Sequence, residues 1–294
     1  MQSSGAGSKK VLITGSNKGI GYGILKALLK RPEKHSFIMA VRNVELGKKA
    51  LDELSKEIPD IQSRVEILEL DISNSGSIDK ALQTLITKKI KIDCLIDNAA
   101  YLSTEDDNSE YIPRTDPSPF KLKFDVVTTT IKTNFYGTVE VTEKLLPYIN
   151  DNGKVIIIAS RRGLIKQVKS ESLRNAIKKE NLTKDELFNL SKKYIEDAKA
   201  DKIAKEGWAN SAYDMSKVFL IAYGRIMSKE APFISRNIQL YSLCPGWVKT
   251  DMGTQYAPLT IDQGILTPCF LFDLPWIINE NQGKFFADCK VIDF

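Results

Sequence analysis

Val11–Gly23, which reads VLITGSNKGIGYG, decides the fold. A short apolar run ends in a glycine-rich turn, and apolar residues at helical spacing follow directly. This order predicts a strand, a tight turn and a helix, the opening of a βαβ unit that binds a dinucleotide. Glycines let the backbone approach a pyrophosphate closely, and the first N–H groups of the following helix then face that anion.

The spacing of Gly15, Gly19 and Gly21 is Gly-x-x-x-Gly-x-Gly rather than the more familiar Gly-x-Gly-x-x-Gly. Taken alone it is weak evidence for a ligand. A glycine-rich turn that binds nothing is the alternative, and the residues downstream have to decide between the two.

Composition is that of an ordinary globular protein, and the mild positive charge suits a small anionic ligand. The 294 residues are 43% hydrophobic and 27% charged, with a net charge of +5. Because Lys and Arg are spread along the chain, nucleic-acid binding is not indicated. The four cysteines show no paired spacing, which favours free thiols in a reducing compartment. No run is long enough to span a membrane and the polar segment 1–9 lacks the apolar core of a signal peptide, so we expect a disordered lead-in and a cytoplasmic protein.

Predicted strands and helices alternate along the chain. The strands are expected at 10–14, 36–41, 65–70, 92–96, 154–159, 238–243 and 284–287. The helices are expected at 19–31, 43–56, 77–88 and 124–146 and from Tyr213, with a loop over 101–120 and charged helical material over 166–205. The alternation predicts a Rossmann-type, doubly wound parallel sheet of about seven strands with helices on both faces. We expect one domain, 10–294, with a helical insertion at about 164–208.

The end of the second strand bears on the choice of cofactor. NAD enzymes usually place an acid there for the ribose 2′-hydroxyl, but this strand ends Ala40-Val41-Arg42. Lys18 lies in the glycine turn. Two cations without a carboxylate suit a 2′-phosphate, which an arginine can bind in bidentate fashion. The alternative is that both cations are merely solvated.

Tyr213 and Lys217 are four residues apart on a predicted helix and therefore share a face. A nearby ammonium lowers the pKa of a phenol, so we expect a tyrosine that can donate a proton to a carbonyl oxygen as hydride arrives. The alternative is a boundary tyrosine beside a solvated lysine.

Two polar residues stand at positions that favour chemistry. Ser160 ends the fifth strand, at the sheet edge where ligands bind in open α/β folds, so its hydroxyl is a candidate partner for a substrate oxygen. An ordinary strand-end cap is the alternative. Asn134 interrupts a helical pattern for which asparagine is poorly suited, so its amide is a candidate for holding a proton-relaying water.

The combined pattern resembles the short-chain dehydrogenase/reductase family over nearly the whole chain. It carries, in the order of that family, Thr14-Gly15-x-x-x-Gly19-x-Gly21, Asn98-Ala99, Asn134, Ser160, Tyr213-x-x-x-Lys217 and Pro245-Gly246. Within the family it is similar to the monomeric carbonyl reductases, on a lysine in the glycine turn, Arg42, the run Cys244–Met252 and a long segment between Ser160 and Tyr213.

The resemblance implies NADPH as cofactor and a site of three parts. The implied catalytic set is Asn134, Ser160, Tyr213 and Lys217. The implied cofactor-binding set is Gly15, Asn17, Lys18, Gly19, Ile20, Gly21, Arg42, Asp71, Ile72, Asn98, Tyr213, Lys217, Pro245, Gly246, Val248 and Thr250. The implied substrate-binding set is Ser160, Arg161, Arg162, Tyr213 and Trp247.

Departures from the family mark two places. Ala100 replaces a usual glycine, so a backbone with positive φ would be strained there. Arg161 and Arg162 replace apolar residues beside the substrate, so we expect one of them to favour acidic carbonyl substrates. In the alternative, the two arginines pair with acids of the 101–119 loop: Glu105, Asp106, Asp107 or Glu110.

The insertion predicts the oligomeric state. Thr183 and Glu186 form a capping-box pattern, and an apolar stripe follows at Leu187, Leu190, Tyr194 and Ala198. We expect the stripe to cover the surface through which relatives dimerise, giving a monomer; a surface decoration that leaves a dimer intact is the alternative. The single histidine, His35, is expected to be solvated.

The expected function is NADPH-dependent reduction of aldehydes, ketones and quinones. The alternatives are a secondary-alcohol dehydrogenase and a non-catalytic dinucleotide-sensing regulator on the same fold. Regulators of that kind characteristically lose the tyrosine or the lysine, and this chain keeps both.

Overall fold

The computed structural model describes residues 7–106 and 122–294. Most of the expected lead-in, residues 1–6, and the part of the expected acidic loop after Asp106 lie outside the described residues.

One eight-stranded sheet carries the described fold, in the order β3-β2-β1-β4-β5-β6-β7-β8. The strands are β1 (Lys10–Thr14), β2 (Ser36–Val41), β3 (Val65–Glu69), β4 (Ile92–Asp97), β5 (Ile149–Ile158), β6 (Gln239–Cys244), β7 (Phe285–Ala287) and β8 (Lys290–Ile292). The first seven run parallel, and the strand order reverses between β1 and β4. Ligands of doubly wound sheets bind beyond the carboxyl ends of the strands at such a reversal.

Twelve α-helices are described. They are α1 (Gly19–Leu29), α2 (Val44–Ser55), α3 (Ser75–Thr87), α4 (Phe124–Thr130), α5 (Thr138–Leu145), α6 (Glu171–Lys178), α7 (Lys184–Lys199), α8 (Ile203–Glu206), α9 (Ala212–Met227), α10 (Ala231–Ser235), α11 (Ile261–Gly264) and α12 (Leu266–Asp273). Between α4 and α5 the chain forms a π-helical turn, Ile131–Gly137. Asn43 caps α2, because its side chain accepts a hydrogen bond from the N–H of Leu46.

Helices cover both faces of the sheet because alternate strand residues point to opposite sides. On β1, Leu12 packs into the core beneath α3, α5 and α9, whereas Val11 and Ile13 pack into the core beneath α1, α2 and α12. All three side chains are fully buried. The doubly wound arrangement expected from the sequence is therefore confirmed.

The sheet has one strand more than the expected seven. β8 pairs with β7 antiparallel, and the two-residue turn between them, Asp288-Cys289, has positive φ at both positions. Such turns match the twist of a hairpin but are usually built from Asn-Gly or Asp-Gly. The sequence Asp-Cys lacks that signal, so the hairpin was not predicted.

His35 is buried, so the expected solvated histidine is wrong. It is 2% exposed, and its Nδ1 accepts a hydrogen bond of 3.1 Å from the backbone N–H of Lys9. Its ring meets Phe272 edge to face at 5.2 Å between centroids. Burial lowers the pKa of His35, which favours the neutral ring that accepts this bond.

The insertion contains α6, α7 and α8, and α7 packs against α4 and α9. Thr183 and Glu186 form the expected capping box at the start of α7. Leu187 and Tyr194 are fully buried. Phe188 extends the contact, because its ring lies 5.4 Å from that of Phe135 in the π-helical turn. The apolar stripe thus covers the helices that carry Asn134 and Tyr213.

In the described segments, 7–106 and 122–294, none of the helices combines the length and apolarity that crossing a bilayer requires.

Candidate active site

The candidate residues come together at the carboxyl edge of the sheet. The glycine turn follows β1, Asn98 follows β4, Ser160 follows β5, and Pro245 follows β6. Because these strands are neighbours in the sheet, their carboxyl ends meet at the strand-order reversal. Helix α9 brings Tyr213 and Lys217 to the same place from one face of the sheet.

The glycine turn has a shape that only glycine allows at two positions. Gly15 and Gly19 have φ of +65° and +59°, in the left-handed region. At Gly21 a Cβ would lie 2.5 Å from the side-chain nitrogen of Asn98, so the backbone there is closely approached. Residues 15–21 form a glycine cradle, in which Asn17 and Ile20 are partly buried. The shape of this cradle fits a pyrophosphate.

The start of α1 is open to an anion. Its N-cap residue, Lys18, supplies no side-chain cap, so its side chain leaves the first-turn N–H groups of α1 unbonded. The Lys18 ammonium is exposed and donates to Asp251 at 2.6 Å. Arg42 is exposed and forms no ion pair with a residue of the described parts.

Asn98 ties β4 to the glycine turn. Its side-chain amide donates to the backbone oxygens of Thr14 and Gly15 at 2.9 and 3.1 Å. The Thr14 hydroxyl in turn accepts from the backbone N–H groups of Asn98 and Ala99. Ala100 is not among the residues with positive φ, so this chain accommodates alanine where the family has glycine.

Two residues of the implied cofactor-binding set, Asp71 and Ile72, follow β3. Asp71 is partly buried, and its carboxylate accepts from the backbone N–H and hydroxyl of Ser73 at 2.9 and 2.7 Å. Ile72 is 7% exposed. Its carbonyl oxygen lies so close to Gly137 of the π-helical turn that a Cβ there would meet it at 2.1 Å. The Asp71 segment is thereby fixed against the helix that carries Asn134.

Tyr213 and Lys217 face each other on α9, as their spacing predicts. The Lys217 ammonium lies 5.5 Å from the centre of the Tyr213 ring and donates to the carbonyl oxygen of Ile158 at 2.8 Å. Lys217 is 2% exposed, and burial lowers its pKa to about 8. The carbonyl at the end of β5 therefore orients the lysine.

Burial raises the pKa of Tyr213 above its usual value. The expected lowering by Lys217 is wrong. The charge that opposes the effect of burial is Arg162, whose guanidinium lies 5.4 Å from the ring centre, and the Ser160 hydroxyl adds a hydrogen bond to the phenol. The phenol therefore keeps its proton at neutral pH, which is the form that a proton donor needs.

Ser160 forms the strand-end cap, and its bond to a substrate oxygen stays a prediction. Its hydroxyl accepts from the backbone N–H of Arg162 at 3.1 Å, which starts a 3₁₀ turn, and it also reaches the phenol of Tyr213. The strand-end cap thus holds the hydroxyl beside the candidate proton donor.

The two arginines after Ser160 have partners other than the expected acids. Arg162 donates to Asp214 at 2.5 Å, and Arg161 donates to Asp288 of the β7–β8 turn at 2.6 Å. Of the four acids considered, Glu105 pairs with Lys123, and Asp106 accepts hydrogen bonds from the backbone of α9. Asp107 and Glu110 lie outside the described residues.

Asn134 lies in the π-helical turn and is fully buried. Its side-chain oxygen accepts from the Tyr101 N–H at 2.6 Å, and its NH₂ donates to the Tyr101 carbonyl and to Ser216 Oγ at 2.8 and 3.1 Å. Widened turns of this kind are frequent at functional sites. Its bonds to Tyr101 and Ser216 fix the chain beside the site, and its relay of protons stays a prediction.

The segment after β6, from Pro245 to Leu259, forms one wall of the candidate site. Gly246 has φ of +87°, and a Cβ there would meet Leu259 at 2.4 Å, so the turn after Pro245 requires glycine. Val248 is buried and pairs with Leu259 in an isolated bridge.

Further bonds close this wall beyond Val248. Trp247 donates through its indole N–H to the carbonyl of Gly253 at 2.7 Å. The Thr250 hydroxyl accepts from the N–H of Gly253 at 3.0 Å. In the cradle, a Cβ at Gly19 would lie 3.3 Å from the Thr250 methyl, so the segment reaches the glycine turn.

Asp106 and Asp214 are site residues that the sequence reasoning missed as such. Asp106 stands in an acidic stretch that is typical of a solvated loop, so nothing local marks it. Asp214 stands in the first turn of a helix, where acids are common for their effect on the helix dipole alone. Both contacts join segments far apart in the chain.

The chain matches the family model described as short chain dehydrogenase over residues 9–172. It is 34% identical over 285 residues to carbonyl reductase [NADPH] 1 of Mus musculus, covering 95% of this chain and 96% of the relative.

Solved structures show the same fold. Salutaridine reductase from Papaver somniferum superposes with a TM-score of 0.80 at 24% identity, covering 96% of this chain and all of that one. An NADPH-bound carbonyl reductase from chicken fatty liver superposes with a TM-score of 0.67 at 21% identity, covering 98% of this chain and all of that one. The family model, the curated relative and the convergence of Ser160, Tyr213 and Lys217 beside a glycine cradle agree: this chain belongs to the short-chain dehydrogenase/reductase family.

Proposed function

We propose that the protein reduces aldehydes, ketones or quinones to alcohols with NADPH, and that Tyr213 donates the proton. The observation that carries the proposal is the position of the Tyr213 phenol, beside Ser160 and with the Lys217 ammonium 5.5 Å from its ring centre, at the edge of the glycine cradle. The name of the murine relative, carbonyl reductase [NADPH] 1, supports the same cofactor and reaction.

Each site residue has its own role in the proposed reaction. NADPH, when bound, supplies the hydride. Ser160 donates its hydroxyl proton in a hydrogen bond to the substrate carbonyl oxygen and orients it towards Tyr213. The phenol gives its proton to that oxygen as negative charge develops there. Lys217, anchored by the Ile158 carbonyl, holds positive charge beside the phenolate that remains.

Three features support NADPH as the cofactor. The open first turn of α1 and the left-handed glycines fit the pyrophosphate. Lys18 and Arg42 would hold the 2′-phosphate, and the ion pair of Lys18 with Asp251 is exposed at both ends and therefore easily exchanged. The remaining implied contacts, with Asp71, Asn98 and the wall after β6, belong to the same proposal.

The protonation state of Tyr213 bears on the direction of the reaction, because its raised pKa keeps the phenol protonated at neutral pH. Oxidation of an alcohol needs a phenolate as base, whereas reduction needs the protonated phenol. A secondary-alcohol dehydrogenase would therefore need a higher pH to use the same site. The retained Tyr213 and Lys217 also argue against a non-catalytic dinucleotide sensor.

We also propose that the protein is a monomer in the cytoplasm. The burial of the α7 stripe against α4 and α9 supports a monomer. Four free cysteines support a reducing compartment, such as the cytoplasm, with small-molecule substrates.

A substitution at Tyr213 tests the mechanism. Tyr213→Phe should lower kcat for a panel of aldehydes, ketones and quinones by about 10²- to 10⁴-fold, because the general acid is removed. The dissociation constant of NADPH, measured by fluorescence, should hardly change. Tyr223→Phe removes a phenol from the same helix but away from the site and is the control. Full turnover in Tyr213→Phe would overturn the proposed proton donor.

A further inference from the structure

The first turn of α9 has its backbone N–H groups bonded by two different side chains. Ser211 caps the helix and accepts from the N–H of Asp214 at 3.1 Å. The N–H groups of Ala212 and Tyr213 both donate to the carboxylate of Asp106, at 2.8 and 2.6 Å. Helices leave these first N–H groups without intrahelical partners, so Asp106 supplies two of the bonds that the turn needs.

Asp106 reaches this position from a segment that also contacts the glycine turn and Asn134. Residues 98–106 begin at Asn98, whose amide holds the glycine turn, and pass Tyr101, whose backbone bonds the amide of Asn134. The segment ends on α9, where the Asp106 side chain is fully buried. One short stretch of chain thus joins the cofactor cradle, Asn134 and Tyr213.

We propose that Asp106 is a positioning residue, whose ionised carboxylate fixes the first turn of α9 and so holds the phenol of Tyr213 in its reactive place. The inference rests on the proposed role of Tyr213 as proton donor. A charged acceptor suits this place because carboxylates are favoured at helix N-termini and bond N–H groups more strongly than neutral acceptors do.

Whether Asp106 accepts both bonds at once depends on its protonation state. An ionised carboxylate accepts from two N–H groups, whereas a protonated one turns an oxygen into a donor and loses an acceptor on one side. Burial raises the pKa of Asp106 to about 6, and the backbone bonds from Tyr213 and Ala212 oppose that rise.

The surrounding charges act in both directions on the same carboxylate. Asp214 on α9 raises the pKa and Arg162, on the segment after β5, lowers it, while Tyr194 of α7 is close enough to be affected by Asp106 itself. The acid is thus ionised at neutral pH and becomes protonated as the pH falls through about 6.

The wild-type enzyme gives the first test. Because Asp106 loses one acceptor on protonation, kcat for carbonyl reduction should fall as the pH is lowered through about 6. Hydrogen exchange of the amides at 212–214, read by mass spectrometry, should become faster over the same range. A kcat that stays level from pH 8 to pH 5 would overturn the proposal. This test needs only the wild-type protein, so it holds even if no variant folds.

The variant Asp106→Asn gives the second test. Its side chain resembles the protonated acid in having one acceptor and one donor, so the variant should behave at every pH like the wild type at low pH. We expect kcat at pH 8 to fall about tenfold, which corresponds to about 1.4 kcal/mol. The fall of kcat below about pH 6, the acid limb of the pH profile, should be lost. The affinity for NADPH should be retained. Glu105→Gln changes the neighbouring exposed acid, paired with Lys123, and should leave the profile unchanged.

The outcomes separate this inference from the proposed function. Loss of activity in Tyr213→Phe together with a normal kcat and acid limb in Asp106→Asn would overturn the role of Asp106 alone. An active Tyr213→Phe would overturn both. A slow Asp106→Asn that still shows the acid limb would mean that another group titrates, and it would overturn the assignment of that limb to Asp106.

Discussion

Arg162 lies over the ring of Tyr213, with its guanidinium carbon 5.4 Å from the ring centre. Its charge opposes the rise in the Tyr213 pKa that burial causes. The cation expected from the sequence to act on this phenol is Lys217, but in the structure Arg162 has the larger effect. The spacing identified the cation on the same helix, Lys217. The cation with the larger effect on the pKa of Tyr213 lies on another segment.

The first prediction concerns Arg162. Arg162→Gln should raise the pKa of Tyr213 further, because the charge that lowers it is removed. The rate of alcohol oxidation, which needs the phenolate, should then rise at a pH about one unit higher than in the wild type. Reduction at pH 7 should change much less. Arg161→Gln is the matched control, and an equal shift of the oxidation profile in both variants would contradict the prediction.

The second prediction concerns the choice of cofactor. Lys18→Ala combined with Arg42→Ala should raise KM for NADPH far more than KM for NADH, because only NADPH has a phosphate to lose contact with. Lys30→Ala, at the other end of α1, should affect neither. Asp251→Asn should leave KM for NADPH unchanged or lower it, because it frees Lys18. Equal effects of the double variant on both cofactors would refute the 2′-phosphate assignment.

The local parts of the site could be predicted from the sequence. The glycine turn and the pair Tyr213 and Lys217 each depend on residues a few positions apart, so their spacing alone indicates their geometry. Asp106 acts on Tyr213 across more than a hundred residues, and Arg162 pairs with Asp214 across a long insertion. No local pattern encodes such pairs, because any of several surface acids could satisfy the same arginine.

The third prediction concerns acidic substrates. Arg162 is paired with the nearly buried Asp214, whereas Arg161 is paired with Asp288, whose side chain is 70% exposed. An exposed ion pair is weak and easily replaced, so a substrate carboxylate can take the place of Asp288. We expect a higher kcat/KM for a keto acid than for its methyl ester, lost in Arg161→Ala and increased in Asp288→Asn. A wild type that does not distinguish the two substrates would contradict substrate contact by Arg161.

The fourth prediction concerns assembly. Tyr194 and Leu187 of α7 are fully buried, and the Tyr194 ring lies 6.2 Å from that of Phe219 on α9. A surface already covered by α7 is not free to bind a second copy through α9. Light scattering at micromolar concentration should therefore give the mass of one chain. A dimer or tetramer would show that the insertion leaves another interface in use.

The fifth prediction concerns Asp97, a buried acid at the end of β4. It is 4% exposed, its carboxylate accepts a hydrogen bond from the Thr142 hydroxyl at 2.8 Å, and burial raises its pKa to about 7. In the unfolded chain an aspartate has a pKa of about 3.9. Between these two values the folded state binds the proton more tightly, so the free energy of unfolding must fall as the pH rises from about 4 to about 7.

Replacing Asp97 by asparagine removes this titration while keeping the shape and an acceptor for Thr142. The melting temperature of Asp97→Asn should therefore exceed that of the wild type at pH 8, and the difference should vanish or reverse near pH 4. Asp52→Asn, an exposed change on α2, should shift neither value. Differential scanning calorimetry at the two pH values decides the point, because a difference of the same size at both would mean that Asp97 does not titrate on unfolding.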